Sequence, residues 1–423
     1  MSSFDKIIGY SDIKGELLGI ADMMKNPALY EELGAKMPRG ALIYGKPGLG
    51  KTMLAKAFIE ECGLPAFTVQ KSDDKILAQI SEAFKAAAEQ EPAIVFLDDM
   101  DKLANEDEKH KDAKEYVAIQ SEIEGVKDKK VFVLATANDV KKLPDSLKRS
   151  GRFDREFEVE SPSDEDGRRI IEYYLSTKKV CENVNLEDLC MMTKYTSCAE
   201  LETILNEAAL YAGRMRHSAI EMSDLIRTVL RIQYDCYDLN PNATDEERRK
   251  IALHEAGHLV VAEALIPGSV GLASLRSSDD DCLGGFIHCC KDLKRRPHEI
   301  LVTLGGKAAT ELYYSEACAS GCYSDLRKVV ALVRDGFTDS GTHGVAYLDT
   351  ASCGWQASDL YRFSTESAVH ADIERFMFKA KDILLKNREF LDKITDALFE
   401  KGTLLYSDIR AIRESVALTQ AVA

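Results

Sequence analysis

Hydrophobic residues up to about residue 160 fall in short unbroken runs, with helically spaced stretches between them. The runs RGALIYG (Arg39 to Gly45), AFTVQ (Ala66 to Gln70), AIVFLDD (Ala93 to Asp99) and VFVLATAN (Val131 to Asn138) are bounded by glycine or polar residues. An apolar run without alternation suits a strand buried on both faces. The pattern therefore predicts an α/β domain over 1–162, with a parallel sheet covered by helices on either side. From Asp164 to about Gln233 only the helical period remains, as in AELETILNEAALYAGRM (Ala199 to Met215), which predicts an all-α lid over 163–236. The polar stretch YDLNPNATDEE contains Pro241 and reads as a linker over 237–247. Over 248–423 the pattern is mainly α-helical, with one hairpin suggested where VGLASL and GGFIHC flank SSDDD.

Two places in this pattern carry chemistry. The first is GKPGLGKT, Gly45 to Thr52, which follows a predicted strand and opens a predicted helix. Amides of such a loop and the helix N-terminus cradle polyphosphate, Lys51 adds a point charge, and Thr52 supplies a hydroxyl to Mg²⁺. The strand IVFL then delivers Asp98 and Asp99 to the carboxyl edge of the sheet, where ligands bind in open α/β folds. In that position Asp98 serves the magnesium shell and Asp99 orients the attacking water. Asn138, at the end of the next strand, can reach the terminal phosphate, although an Asn there is ordinarily a turn residue.

The second place is IALHEAGHLVVAEALIP. Thr244 and Glu247 form a T-x-x-E capping box, and Pro267 with Gly268 stops the pattern, so a helix is predicted from about Asp245 to Leu265. His254 and His258 are then one turn apart on one face. Burying imidazoles and a carboxylate in an apolar helix is unfavourable unless something compensates them. A shared Zn²⁺ would do so, with Glu255 as the base that takes a proton from water. Two hydrogen-bonded core histidines are the alternative. Gly257 costs about 1 kcal/mol in a helix interior, which suggests that another element packs close there. A third protein ligand is needed, and Asp325 in GCYSDLRKVVALVRD is a candidate. The pattern puts it at a helix start, where an acidic residue is ordinarily favourable dipole chemistry alone.

Composition narrows the field. A formal charge of −16 and a pI near 5.1 argue against nucleic acid or an anionic membrane as partner. KRRP (Lys294 to Pro297) is too short to reverse that field, and NEDEKHKDAKE (Asn105 to Glu115) reads as an exposed face. SSDDD reads as a solvated turn rather than a calcium loop, for want of full ligand spacing. The 11 cysteines show no paired CxxC spacing and fit a reducing compartment; metal binding by Cys289 with Cys290 or by Cys318 with Cys322 lacks partner histidines. With no secretory signal and no apolar run near the ~18 residues that span a bilayer, a soluble, cytoplasmic protein is expected.

The motifs together resemble known families. ATAND followed by RSGRFDREFEV (Arg149 to Val159), with NEAAL (Asn206 to Leu210), is similar to the AAA+ ATPases. The resemblance implies that Asn138 is the first sensor and that Arg152 and Arg155 act as arginine fingers in a neighbouring subunit of a homohexameric ring. From Phe4 to about Val416 the chain resembles the FtsH-type ATP-dependent zinc proteases, through FDKIIGYSDIK, HEAGH, LGGKAATEL, GCYSDL and ILLKNREFLDKITDALFEKGTL. This implies zinc ligands His254, His258 and Asp325, Glu255 as catalytic base, and nucleotide contacts from Ile8, Gly45, Pro47, Gly48, Leu49, Gly50, Lys51, Thr52, Met53, Asp98 and Asn138. The function implied is ATP-dependent zinc endopeptidase action on polypeptides, with cofactors Zn²⁺, ATP and Mg²⁺. Two alternatives stay open: a peptidase of unfolded chains that uses ATP mainly for ring assembly, and a chaperone-like ATPase ring with a structural zinc. The chain departs from the family in three respects. It shows no N-terminal membrane helices. Asp99 replaces the family's Glu, about 1.5 Å shorter, which implies slower ATP hydrolysis. The stretch QKSDDKILAQISEAF (Gln70 to Phe84) lacks the aromatic-hydrophobic-Gly pore loop, for which Ile76 or Leu77 would have to substitute.

Overall fold

The four apolar runs become strands β1 (Gly40–Tyr44), β2 (Ala66–Val69), β3 (Ala93–Leu97) and β4 (Val131–Ala137) of one parallel sheet. A fifth strand, β5 (Arg155–Glu158), escapes the apolar pattern because Phe157 is its one buried side chain. The order is β2-β3-β4-β1-β5. The computed structural model describes residues 2–422 except 72–75, 104–113, 150, 237–242, 277–283, 294, 315–318 and 339–358. Thus SSDDD, Lys294 of KRRP, Cys318, nearly all of NEDEKHKDAKE and the first part of the expected linker lie outside the described residues.

Helices cover both faces of the sheet, as the unbroken runs require. On one face Leu17 and Ile20 of α1 (Ser11–Lys25) and Leu54 and Phe58 of α3 (Lys51–Cys62) pack on Ile94, Phe96, Phe132 and Leu134; the short α2 (Pro27–Glu32) follows α1. On the other, Ile80 and Phe84 of α4 (Ile76–Glu89) and Ile119 and Ile123 of α5 (Lys114–Gly125) pack on Val95, Leu97 and Val133. The parallel register sets Leu97 against Ala135, so Asp98 and Thr136 follow side by side at the carboxyl edge.

Helices α6 (Asp164–Ser176), α7 (Leu186–Met192), α8 (Cys198–Arg214) and α9 (Met222–Tyr234) follow. The chain forms two compact units, Met1–Thr177 with Tyr195–Thr203, and Lys178–Lys194 with Ile204–Ala423. In the second unit α7 is tied to the C-terminal helix α15 (Tyr406–Glu414): buried Asp188 accepts from Ser407 N and Oγ, each at 2.7 Å, and Glu187 pairs with Arg410 at 2.8 Å.

The second unit is built around α10 (Asp245–Leu265), whose bounds and Thr244–Glu247 capping box are those the sequence predicts. From Ile251 to Ala264 every side chain of α10 is buried, enclosed by α11 (Arg296–Tyr314), α12 (Ala319–Thr338), α13 (Asp359–Lys386) and α14 (Arg388–Lys401). The hairpin forms as β6 (Val270–Ser274) with antiparallel β7 (Phe286–Cys289), and β8 (Thr403–Leu405) adds to the other edge of β6. Buried Glu263 secures the turn from α10 into β6, accepting from Gly268 N at 2.8 Å and Val270 N at 2.9 Å and pairing with Arg413 at 2.5 Å.

α10 and α11 touch backbone to backbone where they cross. A Cβ on Gly305 would lie 2.5 Å from Gly257 O, and one on Gly257 would meet Gly305 O and come within 2.6 Å of Ala309 Cβ. This is the close neighbour that Gly257 implied. Gly257→Ala is therefore expected to destabilise the protein by the upper part of the ~1–3 kcal/mol typical of overpacking, although alanine is the better helix former by about 1 kcal/mol. Thermal unfolding of the two proteins reads this directly, and a raised Tm would refute the packing argument.

Candidate active sites

The phosphate loop joins β1 to α3. Gly50, immediately before α3, has φ +90°, a backbone shape that L side chains rarely adopt. With it the first amides of α3 open toward the loop, a ready anion site. Lys51 is only 5% exposed and donates to Lys46 O at 2.8 Å. Burial pulls its ammonium below the usual range, against the opposing pull of Asp99 and Asp101. Leu49 is buried and Met53 is 54% exposed. Half-buried Ile8 lies before α1, and Tyr10 ties that segment to the loop by donating to Leu49 O at 3.1 Å. A cavity of about 580 Å³ adjoins the loop, lined by Pro47, Gly48, Leu49 and, unforeseen in the sequence, Ser161, Tyr195 and Ser197.

Beside the loop the carboxylates are sorted by their partners. Asp98 Oδ1 accepts from Thr52 Oγ1 at 3.0 Å and Thr136 Oγ1 at 2.7 Å. This all-oxygen group fits Mg²⁺, a hard cation. Asp99, at φ 51°, accepts from Asn138 Nδ2 at 3.0 Å through Oδ1 and pairs with Lys102 at 2.6 Å through Oδ2. Asp101 accepts from the backbone N–H of Asn138 at 2.8 Å. Thr136, which serves both Asp98 and the Asp99 amide, was missed by the sequence reading. The available signal was a hydroxyl in an otherwise apolar strand, in register with the strand that delivers the aspartates. The two arginines lie elsewhere in this unit: Arg152 donates to Ser146 O and pairs with Glu124 at 3.4 Å, and Arg155 is exposed at the first residue of β5.

In the second unit α10 holds His254, Glu255 and His258, all under 9% exposed. The two Nε2 atoms are 3.1 Å apart, and Asp325 Oδ2 from α12 is 3.2 Å from each. Asp325 sits well inside α12, which begins at Ala319. The expected helix start is thus corrected, and with it the dipole explanation of this residue. Nitrogens bound tetrahedrally at ~2.0–2.1 Å would be roughly 3.3 Å apart, close to the spacing of all three atoms. Asp325 Oδ2 is also a buried oxygen that meets no partner with hydrogen-bond geometry, so its lone pair faces the same point as the imidazoles. The donor set fits Zn²⁺.

The surroundings orient these groups. His258 Nδ1 lies 2.7 Å from Val302 O, which places the proton on Nδ1 and leaves Nε2 as a lone pair. The longer 3.3 Å approach of Gly306 N–H to the same nitrogen yields to it. A Cβ on Gly306 would lie 2.5 Å from both His254 Cε1 and His258 Nε2, so the second glycine of LGGKAATEL leaves room at the centre. Burial pushes the Glu255 carboxyl above the usual range, opposed by His258 and His254.

Comparison with known proteins finds a family match in each unit. Residues 41–161 match the ATPase family associated with various cellular activities (AAA), and residues 291–412 match peptidase family M41. The chain is 31% identical to the ATP-dependent zinc metalloprotease FtsH of Streptobacillus moniliformis, over 97% of this chain and 64% of that protein. It is 30% identical to FtsH 2 of Salinibacter ruber, over 96% and 64% respectively. With the FtsH of Thermus thermophilus it shares 29% identity over 98% of this chain and 71% of that protein. The chain thus spans a little under two thirds of the length of the first of these relatives. Among the described residues no helix is long and apolar enough to cross a membrane.

Proposed function

Starting from a chain that joins an AAA ATPase domain to a peptidase family M41 domain, we propose that it is an ATP-dependent zinc endopeptidase that degrades polypeptides in a homohexameric ring. The observation that carries this reading is the convergence of His254, His258 and Asp325 on one point with Glu255 beside them. Zinc, when bound, supplies Lewis acidity toward the scissile carbonyl and the water. Glu255, left out of the ligand set, takes the proton from that water and returns it to the leaving amine, a base and acid role that a raised carboxyl affinity favours. A structural zinc site would have no use for such a base.

In the first unit Lys51 and the amides of α3 bind the phosphates, and Thr52 and Asp98 hold the cation. Asp99 and Asn138 position water at the terminal phosphate. Magnesium, when bound, neutralises charge on the phosphates. Arg152 and Arg155 complete the neighbouring subunit's site, a role supported by the family resemblance. Cys62, Cys181, Cys198, Cys236, Cys289 and Cys290 form no disulfide, which supports a reducing compartment and, with it, the cytoplasm.

The test is cleavage of a tagged, stably folded protein beside an unstructured one, with and without ATP and a zinc chelator. Loss of the folded protein only when ATP and metal are both present is the expected result. If only the unstructured protein is cut, the ring is a gated peptidase, the outcome that the missing aromatic pore motif would explain. A chelator that dissolves the ring without a prior cleavage activity would indicate a structural metal.

A further inference from the structure

Each oxygen of Asp99 already has a partner. Asn138 donates to Oδ1 at 3.0 Å and the Lys102 ammonium lies 2.6 Å from Oδ2. The local backbone explains the second contact. Asp99 precedes a single 3₁₀ turn, Met100–Lys102, and the Lys102 N–H donates to Asp99 O at 2.8 Å, which folds Lys102 back beside Asp99. The neighbouring carboxylates are occupied differently: Asp98 by the two threonine hydroxyls and Asp101 by the Asn138 and Asp139 amides. Lys102 is therefore paired with the one carboxylate placed to orient water, and its ammonium is held above its ordinary range chiefly by that contact.

We propose that Lys102 is a positioning residue that clasps Asp99 and slows ATP hydrolysis, so that turnover requires the pair to open. The inference rests on the ATPase reading of this site. When the pair opens, Asp99 Oδ2 is freed to accept a hydrogen bond from water while Asn138 keeps Oδ1 in place.

The experiment compares steady-state hydrolysis of Mg·ATP, and its equilibrium binding, for the full chain and for Lys102→Met and Lys102→Arg. Methionine keeps the length and apolar stem and removes the charge. Lys102→Met is expected to raise kcat about two- to fivefold, the range that opening an exposed ion pair allows, with ATP affinity changed less than about twofold. Lys102→Arg is expected to restore the low rate. An unchanged or lower kcat in Lys102→Met would overturn the proposal, as would an arginine variant as fast as the methionine variant. If the unsubstituted chain neither binds nor hydrolyses ATP, the ATPase reading falls and this proposal with it. Normal ATP binding with no effect of Lys102 removes the clasp alone.

Discussion

Glu255→Gln is expected to lower peptide-bond hydrolysis at least 100-fold while leaving the bound metal in place. The side chain keeps its shape and its buried position on α10, but an amide cannot take a proton from water, and a positioned general base contributes typically ~10²–10⁴-fold. Because the candidate ligand atoms are those of His254, His258 and Asp325, the substitution does not touch the proposed donor set. Initial rates on an unstructured protein, with metal content measured on the same sample, give both readouts. A rate within tenfold of the parent would remove Glu255 from the chemistry. Loss of metal would mean that the carboxylate supports the centre itself, and that the slow rate reports a vacant site.

Lys51→Met should act on the other unit. The ammonium it removes is almost fully buried at the head of α3, and charge-assisted hydrogen bonds of this kind contribute about 1.5–3 kcal/mol, so ATP affinity is expected to fall roughly 10- to 100-fold. On the proposed reading, in which ATP serves to deliver folded chains, degradation of a folded protein is expected to stop and cleavage of a short peptide to change less than about twofold. Binding titrations beside the two cleavage assays test this. Unweakened ATP binding would refute the role of Lys51. Joint loss of both cleavage activities would show instead that nucleotide is needed to hold the peptidase in working form.

The sequence was most legible where one physical requirement acts alone. Strands buried on both faces must be apolar throughout, so β1, β3 and β4 stood out, and α10 could be bounded from its capping box and its Pro-Gly stop. Strand β5 did not stand out, because an edge strand with one buried residue, Phe157, leaves the remaining positions to charge. β8 is three residues long and is a strand only because β6 offers it an edge, a tertiary fact. The same holds at the sites. His254 and His258 are one helical turn apart and could be paired by spacing. Asp325 is brought to them by the packing of α12; the residues alone made it only one candidate, with helix-start dipole chemistry as the ordinary explanation, and the family resemblance singled it out. Thr136 and Lys102 are local to the aspartates, yet their importance depends on which carboxylate oxygen each one reaches.

The bond between Asp188 and Ser407 has a consequence for the order in which the protein is made. The two residues are 219 positions apart, and the helix that carries Asp188 belongs to the same compact unit as the C-terminal helix. At ~5–20 residues per second of synthesis, the first waits on the order of 10–40 s for the second to be polymerised. Nascent chains can therefore complete the nucleotide-binding sheet early, but the unit holding HEAGH closes only once the helix that carries Ser407 has been made. A chain stopped before Ser407 would carry a finished phosphate loop but lack the helix to which Asp188 is bonded.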